Sequence, residues 1–117
     1  MNKRLFAHSR DEAVRAAFYK VLRGQTVGEA FEELAKAPAP RFYVSFEEAR
    51  RNVSRISRGL HPQRANANRI EMYKELCRRW KLTRAKGFEV LAAIIQEPAP
   101  SFYLSIGRLK SIVYRTR

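Results

Sequence analysis

Apolar residues recur at every third or fourth position along most of this chain, and that spacing is typical of amphipathic α-helices. The first helix is predicted from Ser9, a suitable N-cap, to Gly24, a residue type that commonly ends helices. A second helix is expected after Thr26, because Glu29 lies three residues later and completes a capping box. Pro38 ends this helix, since proline lacks the backbone N–H that a helix interior needs.

A short extended connector and a third helix follow in the same half of the sequence. The connector, residues 39–44, contains an aromatic pair that we expect to anchor it on the core, with one ring buried and the other available. Ser45 and Glu48 form a second capping-box pattern, and apolar positions continue at helical spacing to Gly59. Residues 57–68 are poor in apolar side chains and are predicted to connect the two halves.

The second half is predicted to follow the same plan. Asn68 precedes a further apolar helical pattern, another helix is expected over residues 83–96, and the last helix begins at Ser105 and extends to the C-terminus. Six extra residues separate the first two helices of this half, so a longer helix or loop is needed around residues 79–84.

An internal repeat underlies this plan. The segment 38–45, PAPRFYVS, recurs at 98–105 as PAPSFYLS, with six of the eight residues identical. Because a repeat defines the structural unit, the sequence predicts an all-α fold of two tandem three-helix, helix-turn-helix-like units from an internal duplication, residues 1–60 and 61–117. Each unit is near the lower size limit for an independent domain, so one shared core is the alternative.

Charge narrows the choice of partner. The net charge of +13 and the pI of about 10.7 predict that the partner is a polyanion, most readily a nucleic acid. The alternative is that the excess positive charge only keeps the protein soluble. Residues 1–60 carry 12 basic and 7 acidic side chains, and residues 61–117 carry 12 and 4. The second half, at +8 against +5, is therefore the more basic one.

Residues that would support catalysis or metal binding are scarce. Cys77 is the single cysteine and is predicted to be a small core or boundary residue, and His8 and His61 are too few for a metal cluster. No serine has a histidine partner pattern and no glycine-rich phosphate loop is present, so we expect neither an enzyme nor a cofactor. The longest apolar stretch, Val90–Ile95, is too short to span a bilayer, and we expect a cytoplasmic protein, associated with the nucleoid or a phage, that does not bind membranes.

The second and third helices of each half resemble a helix-turn-helix, in which the second of the two helices lies in the major groove of DNA. The connector departs from that motif, because about seven residues with two prolines replace the usual short turn. The resemblance implies that the third helices contact DNA, and Arg suits this role because it binds phosphate or the guanine edge bidentately. Glu47 and Glu48 are expected to stabilise the start of the first of these helices through its dipole.

The expected DNA contacts are the basic and hydroxyl side chains on the exposed face of each third helix. An ordinary solvated basic face is the alternative interpretation of both sets. We expect the strongest contacts from the last helix and the next strongest from the third helix of the chain: Arg108, Lys110, Ser111 and Arg115, then Arg50, Arg51, Arg55 and Arg58.

The repeated string adds a second resemblance. PAPRFYVS is similar to a string in small uncharacterised proteins of Bacteroidota and their phages or mobile elements, which implies a cellular context more than an activity. The leading hypothesis is a double-stranded DNA-binding regulator or accessory factor of a phage or mobile element. One alternative is a structural or adaptor protein that binds nucleic acid nonspecifically or binds an acidic protein partner. Another is a protein that binds structured RNA.

Aromatic residues offer a further possibility, namely stacking on unpaired bases. The candidates are the connector aromatics and Trp80, for all of which packing in the core or an interface is the favoured interpretation. The connector aromatics are Phe42, Tyr43, Phe102 and Tyr103.

Overall fold

The computed structural model describes the backbone of residues 3–115 and the side chains of residues 7–115. This part of the chain contains helices and no strand, so the predicted all-α class is confirmed. The helices are α1 (Lys3–Val21), α2 (Val27–Lys36), α3 (Phe46–Ser57), α4 (Ala67–Leu82), α5 (Leu91–Ile94) and α6 (Ile106–Tyr114).

Three of the helix starts follow from their caps. The Thr26 hydroxyl accepts a hydrogen bond from Glu29 N at 3.2 Å, and the Glu29 carboxylate accepts one from Thr26 N at 3.0 Å, which confirms the first capping box. These bonds also hold the pKa of Glu29 below its ordinary value. Ser45 and Ser105 cap α3 and α6 in the same way, each accepting from the backbone N–H three residues later.

Two predictions for the first half were wrong. Ser9 lies inside α1, which begins at Lys3, so Ser9 is not an N-cap. The capping box at α3 is only half formed, because the Glu48 carboxylate does not return to the Ser45 backbone and instead binds side chains of α4.

The second half differs more from its prediction. The helix α4 begins after Asn66 rather than Asn68, and the helix predicted over residues 83–96 is reduced to α5 with tight turns on both sides. The Gly87 carbonyl, which would accept from Leu91 N in that helix, accepts from the Trp80 indole instead, and Leu91 N donates to Phe88 O. Arg84 has a φ of +59°, which also breaks a helix.

The helices pack in two groups of three. The helices α1, α2 and α6 form one group, the terminal cluster, and α3, α4 and α5 form the other, the central cluster. Each third helix therefore packs on the first two helices of the other half of the sequence. The predicted duplication and its boundary at residue 60 stay predictions. The buried apolar residues join into one core, and the molecule measures 47 × 26 × 23 Å.

Two antiparallel connectors join the clusters, and they are the two copies of the repeated string. Ala39 and Ala99 exchange both backbone hydrogen bonds at 2.9 Å, and the flanking prolines need no backbone donor there. The rings stack crosswise, Phe42 on Tyr103 and Tyr43 on Phe102, each pair with centroids 6.2 Å apart. Equivalent positions of the repeat thus pair reciprocally, as they do across a two-fold axis.

Candidate nucleic-acid interface

The outer face of α3 carries a row of arginines. Ala49 and Val53 are fully buried against α4 and α5, which turns the polar positions between them outward. Along that outer side lie three exposed arginines and one that is half-buried: Arg50, Arg51 and Arg58, and Arg55. The helix spans about 12 Å between the first and the last of them.

These four arginines line one groove together with residues from two other segments. The groove, called the α3 groove below, has a volume of about 500 Å³. Its remaining lining residues are Glu47 and Ser54 of α3, Gln63 of the loop after α3, and Phe88 of the segment before α5. A neighbouring depression is lined by Arg51, Gln63 and Arg64, which extends the basic surface along the same side of α3.

The loop at residues 61–64 is fixed against α3 by two hydrogen bonds. Gln63 N donates to the Asn52 side-chain oxygen at 2.8 Å, and Arg55 Nε donates to the His61 carbonyl at 2.6 Å. Asn52 is fully buried, so this bond is sheltered from water. The loop therefore forms a defined border of the groove.

Phe88 also lines the groove and is held in place by Trp80. Its ring stacks on Trp80 with centroids 4.7 Å apart, and Trp80 Nε1 donates to the Gly87 carbonyl at 2.8 Å. Both rings are half-buried. Trp80 packs against the core, as predicted, and Phe88, which falls in the helix predicted over residues 83–96, packs against the core as well while it lines the groove.

The sequence places two carboxylates at the start of α3, and the structure separates them. Glu48 Oε2 accepts from Arg69 at 2.6 Å and from the Tyr73 hydroxyl at 2.7 Å. Burial acts to raise the pKa of Glu48, but the bonds from Tyr73 and Arg69 hold it below its ordinary value, so the carboxylate is charged and neutralised by α4. Glu47 is therefore the one carboxylate among the described residues that line the groove.

Most other acidic side chains are also paired away from α3. The Glu75 carboxylate binds Arg78 and Arg79, and these bonds lower its pKa to about 2. Glu97 pairs with Arg79, and Asp11 pairs with Arg10. Within the described part of the chain, the four arginines of α3 form no ion pair, so their positive charge is available to an external anion.

The predicted contacts on α6 lie elsewhere. Arg108, Lys110 and Ser111 are exposed on the terminal cluster, and α6 does not contact α3. Lys110 lies over the Phe31 ring at 5.9 Å, and Arg115 lies 3.8 Å from the Asp11 carboxylate. The structure thus brings the four α3 residues together in one groove and leaves the four α6 residues as a separate surface that is partly engaged with its own cluster.

The remaining candidates behave as core residues. Phe42 and Phe102 are buried, and Tyr43 and Tyr103 are half-buried in the crosswise stacks, which confirms that these aromatics anchor the connectors. Cys77 is buried as predicted, and burial raises the pKa of its thiol.

Metal ligands and membrane-spanning helices are not found in the part of the chain that the structure describes. No three side chains among histidine, cysteine, aspartate and glutamate lie together as a metal site would need. Each described helix is too short or too polar to cross a bilayer. Comparison with known proteins gives no match to a family model, a curated protein sequence or a solved structure.

Proposed function

We propose that this protein binds double-stranded DNA through the α3 groove, as a regulator or accessory factor of a phage or mobile element. The observation that carries the proposal is the groove itself, which is lined by a single carboxylate and by four arginines that form no ion pair with the residues that the structure describes. A planar guanidinium binds a phosphate oxygen pair with two parallel hydrogen bonds, so this surface suits a phosphate backbone.

Counterion release gives the proposal a quantitative form. Each phosphate that a protein neutralises on duplex DNA contributes about −0.9 to the slope of log affinity against log salt concentration. Four contacts predict a slope of about −3.6, which is a loss of affinity of about a hundredfold between 50 and 200 mM salt. Contacts from α6 would add to that slope and raise avidity.

The test measures binding of a labelled 24-base-pair duplex by fluorescence anisotropy over that salt range. Changing Arg50, Arg51 and Arg58 to glutamine should weaken binding about a hundredfold and reduce the slope by about 3. Arg55 is left unchanged because it also holds the loop.

The matched control removes the same charge from exposed positions of the terminal cluster. It changes Lys20, Arg23 and Lys36 to glutamine, and it should stay within a few-fold of the original protein. If both triple variants lose equal affinity, net charge alone drives binding and the groove has no special role. If scrambled and genomic duplexes compete equally, the regulator role is wrong and a nonspecific structural role replaces it.

A further inference from the structure

Resting on the proposed function, we propose that the α3 groove holds an unpaired nucleobase against Phe88 while its arginines hold the adjoining phosphates. The preferred target is then DNA that contains a short single-stranded segment, such as a gap, rather than an uninterrupted duplex.

The shape of the groove is the first argument. A recognition helix reads duplex DNA by entering a major groove about 12 Å wide, which requires its outer face to protrude. Here the lining around the outer face of α3 also includes Gln63 of the following loop and Phe88 of the segment before α5. A single strand, whose bases can turn away from their partners, can bring a base to such side chains while its phosphates contact the arginines.

The chemistry of the lining is the second argument. Sites for single strands combine cationic side chains, which follow the backbone, with an aromatic ring on which a base stacks. The α3 groove has that combination, because Phe88 lines it together with the four arginines. Ser54 and Gln63 add hydroxyl and amide groups that can hydrogen-bond a base edge.

The position of Phe88 is the third argument. In a regular helix over residues 83–96, Phe88 would share an apolar face with Leu91 and Ile95, both of which are buried in the core. The structure has no regular helix there, since Arg84 has a positive φ and the Gly87 carbonyl accepts from Trp80, and Phe88 is half-buried at the groove with its ring stacked on Trp80. Among the aromatics considered for base stacking, the connector rings are already stacked on one another.

The test compares two labelled DNAs of equal length, one an intact duplex and one with a three-nucleotide gap that contains 2-aminopurine. The full chain should bind the gapped DNA about tenfold more tightly, and stacking should quench the 2-aminopurine fluorescence. F88L should lose the gap preference and the 2-aminopurine quenching, so that its affinities for gapped and intact DNA become equal, whereas F88Y should keep both the preference and the quenching. Thermal melting of both variants shows whether they are folded.

Outcomes of this test separate the two proposals. Equal binding of gapped and intact DNA by the original chain, or a gap preference that survives in F88L, overturns the base site and leaves duplex binding intact. Wild-type affinity in the variant that lacks Arg50, Arg51 and Arg58 overturns the proposed function itself. If F88L does not fold, the gap preference of the original chain and the F88Y quenching decide the matter.

Discussion

The third helices α3 and α6 begin alike and end in different surroundings. Both follow a copy of the repeated connector and both are capped by a serine, but α3 carries the four-arginine groove, whereas α6 packs on α1 and α2. One difference lies at the position of Asn52, whose equivalent sixty residues later is Ile112. Asn52 offers an oxygen that holds the following loop at Gln63, whereas Ile112 is buried and has no acceptor.

The two helices also differ in their acidic residues. Glu48 of α3 corresponds to Arg108 of α6, so sequence alone makes α6 the more basic helix. In the folded protein Glu48 is neutralised by Arg69 of α4, while Arg115 of α6 lies near the Asp11 carboxylate. The charge available to a ligand therefore depends on the partners that the fold supplies and not on the composition of one helix.

The largest expected effect is the difference in duplex affinity between variants that remove charge from α3 and variants that remove it from α6. Changing Arg108, Lys110 and Arg115 to glutamine should weaken duplex binding less than tenfold, against about a hundredfold for the triple change at α3, because Lys110 and Arg115 are engaged within their own cluster. Anisotropy titrations at one salt concentration measure both. An α6 variant that loses more affinity than the α3 variant would reverse the assignment.

A smaller effect is expected from the loop that borders the groove. Asn52→Ala removes the acceptor for Gln63 N, and we expect the free energy of unfolding to fall by about 1 kcal/mol, because a hydrogen bond is lost and a cavity forms, while loss of the buried, unpartnered Asn52 Nδ2 offsets part of the effect. DNA affinity should fall about fivefold as the loop loosens. Chemical denaturation and anisotropy measure the two quantities.

The control for that change is Asn68→Ala, on the first turn of α4. It should change the stability by less than about 0.5 kcal/mol, because no hydrogen bond of its side chain is found among the described residues. Equal effects of the two variants would show that the Asn52 contact does not hold the loop.

The smallest effect concerns the pH dependence of the central cluster. Glu75→Gln should lower the free energy of unfolding by about 1 kcal/mol at pH 7, since it weakens the bonds to Arg78 and Arg79. The pKa of Glu75 is about 2 in the folded protein, below its ordinary value of 4.5, so this stabilisation is complete above about pH 4.5 and is lost as the pH falls toward 2.

Denaturation of both proteins between pH 7 and pH 2 should therefore show curves that converge at the acid end. Glu71→Gln is the control on the same helix. Glu71 forms a single ion pair with Lys74 at 3.6 Å, and both side chains are exposed, so the pair contributes little to stability. A difference between Glu75→Gln and the original chain that is the same at every pH would show that the carboxylate charge does not matter.

Some of this molecule could be predicted from its sequence because the signals are local. Thr26 and Glu29 gave the cap of α2, and the Ser45 and Ser105 caps gave the starts of α3 and α6. The burial of Phe42 and Phe102 could be anticipated from their place in a short apolar connector.

Other features depend on contacts between distant segments. The exchange of third helices between the halves follows from the antiparallel pairing of Ala39 with Ala99, which helical periodicity does not reveal. Phe88 falls in the helix predicted over residues 83–96, but the positive φ of Arg84 and the Trp80 bond to Gly87 interrupt that helix, and Phe88 lines the groove. The half-formed capping box of α3 likewise results from Arg69 and Tyr73 of α4 attracting Glu48.

The most direct test of the account is the salt dependence of duplex binding by the original chain and by the variant lacking Arg50, Arg51 and Arg58. We expect a slope of log affinity against log salt of about −3.6 or steeper in the original chain, and a slope shallower by about 3 in the variant. Slopes that are equal in the two proteins would contradict the claim that the arginines of α3 hold the phosphates.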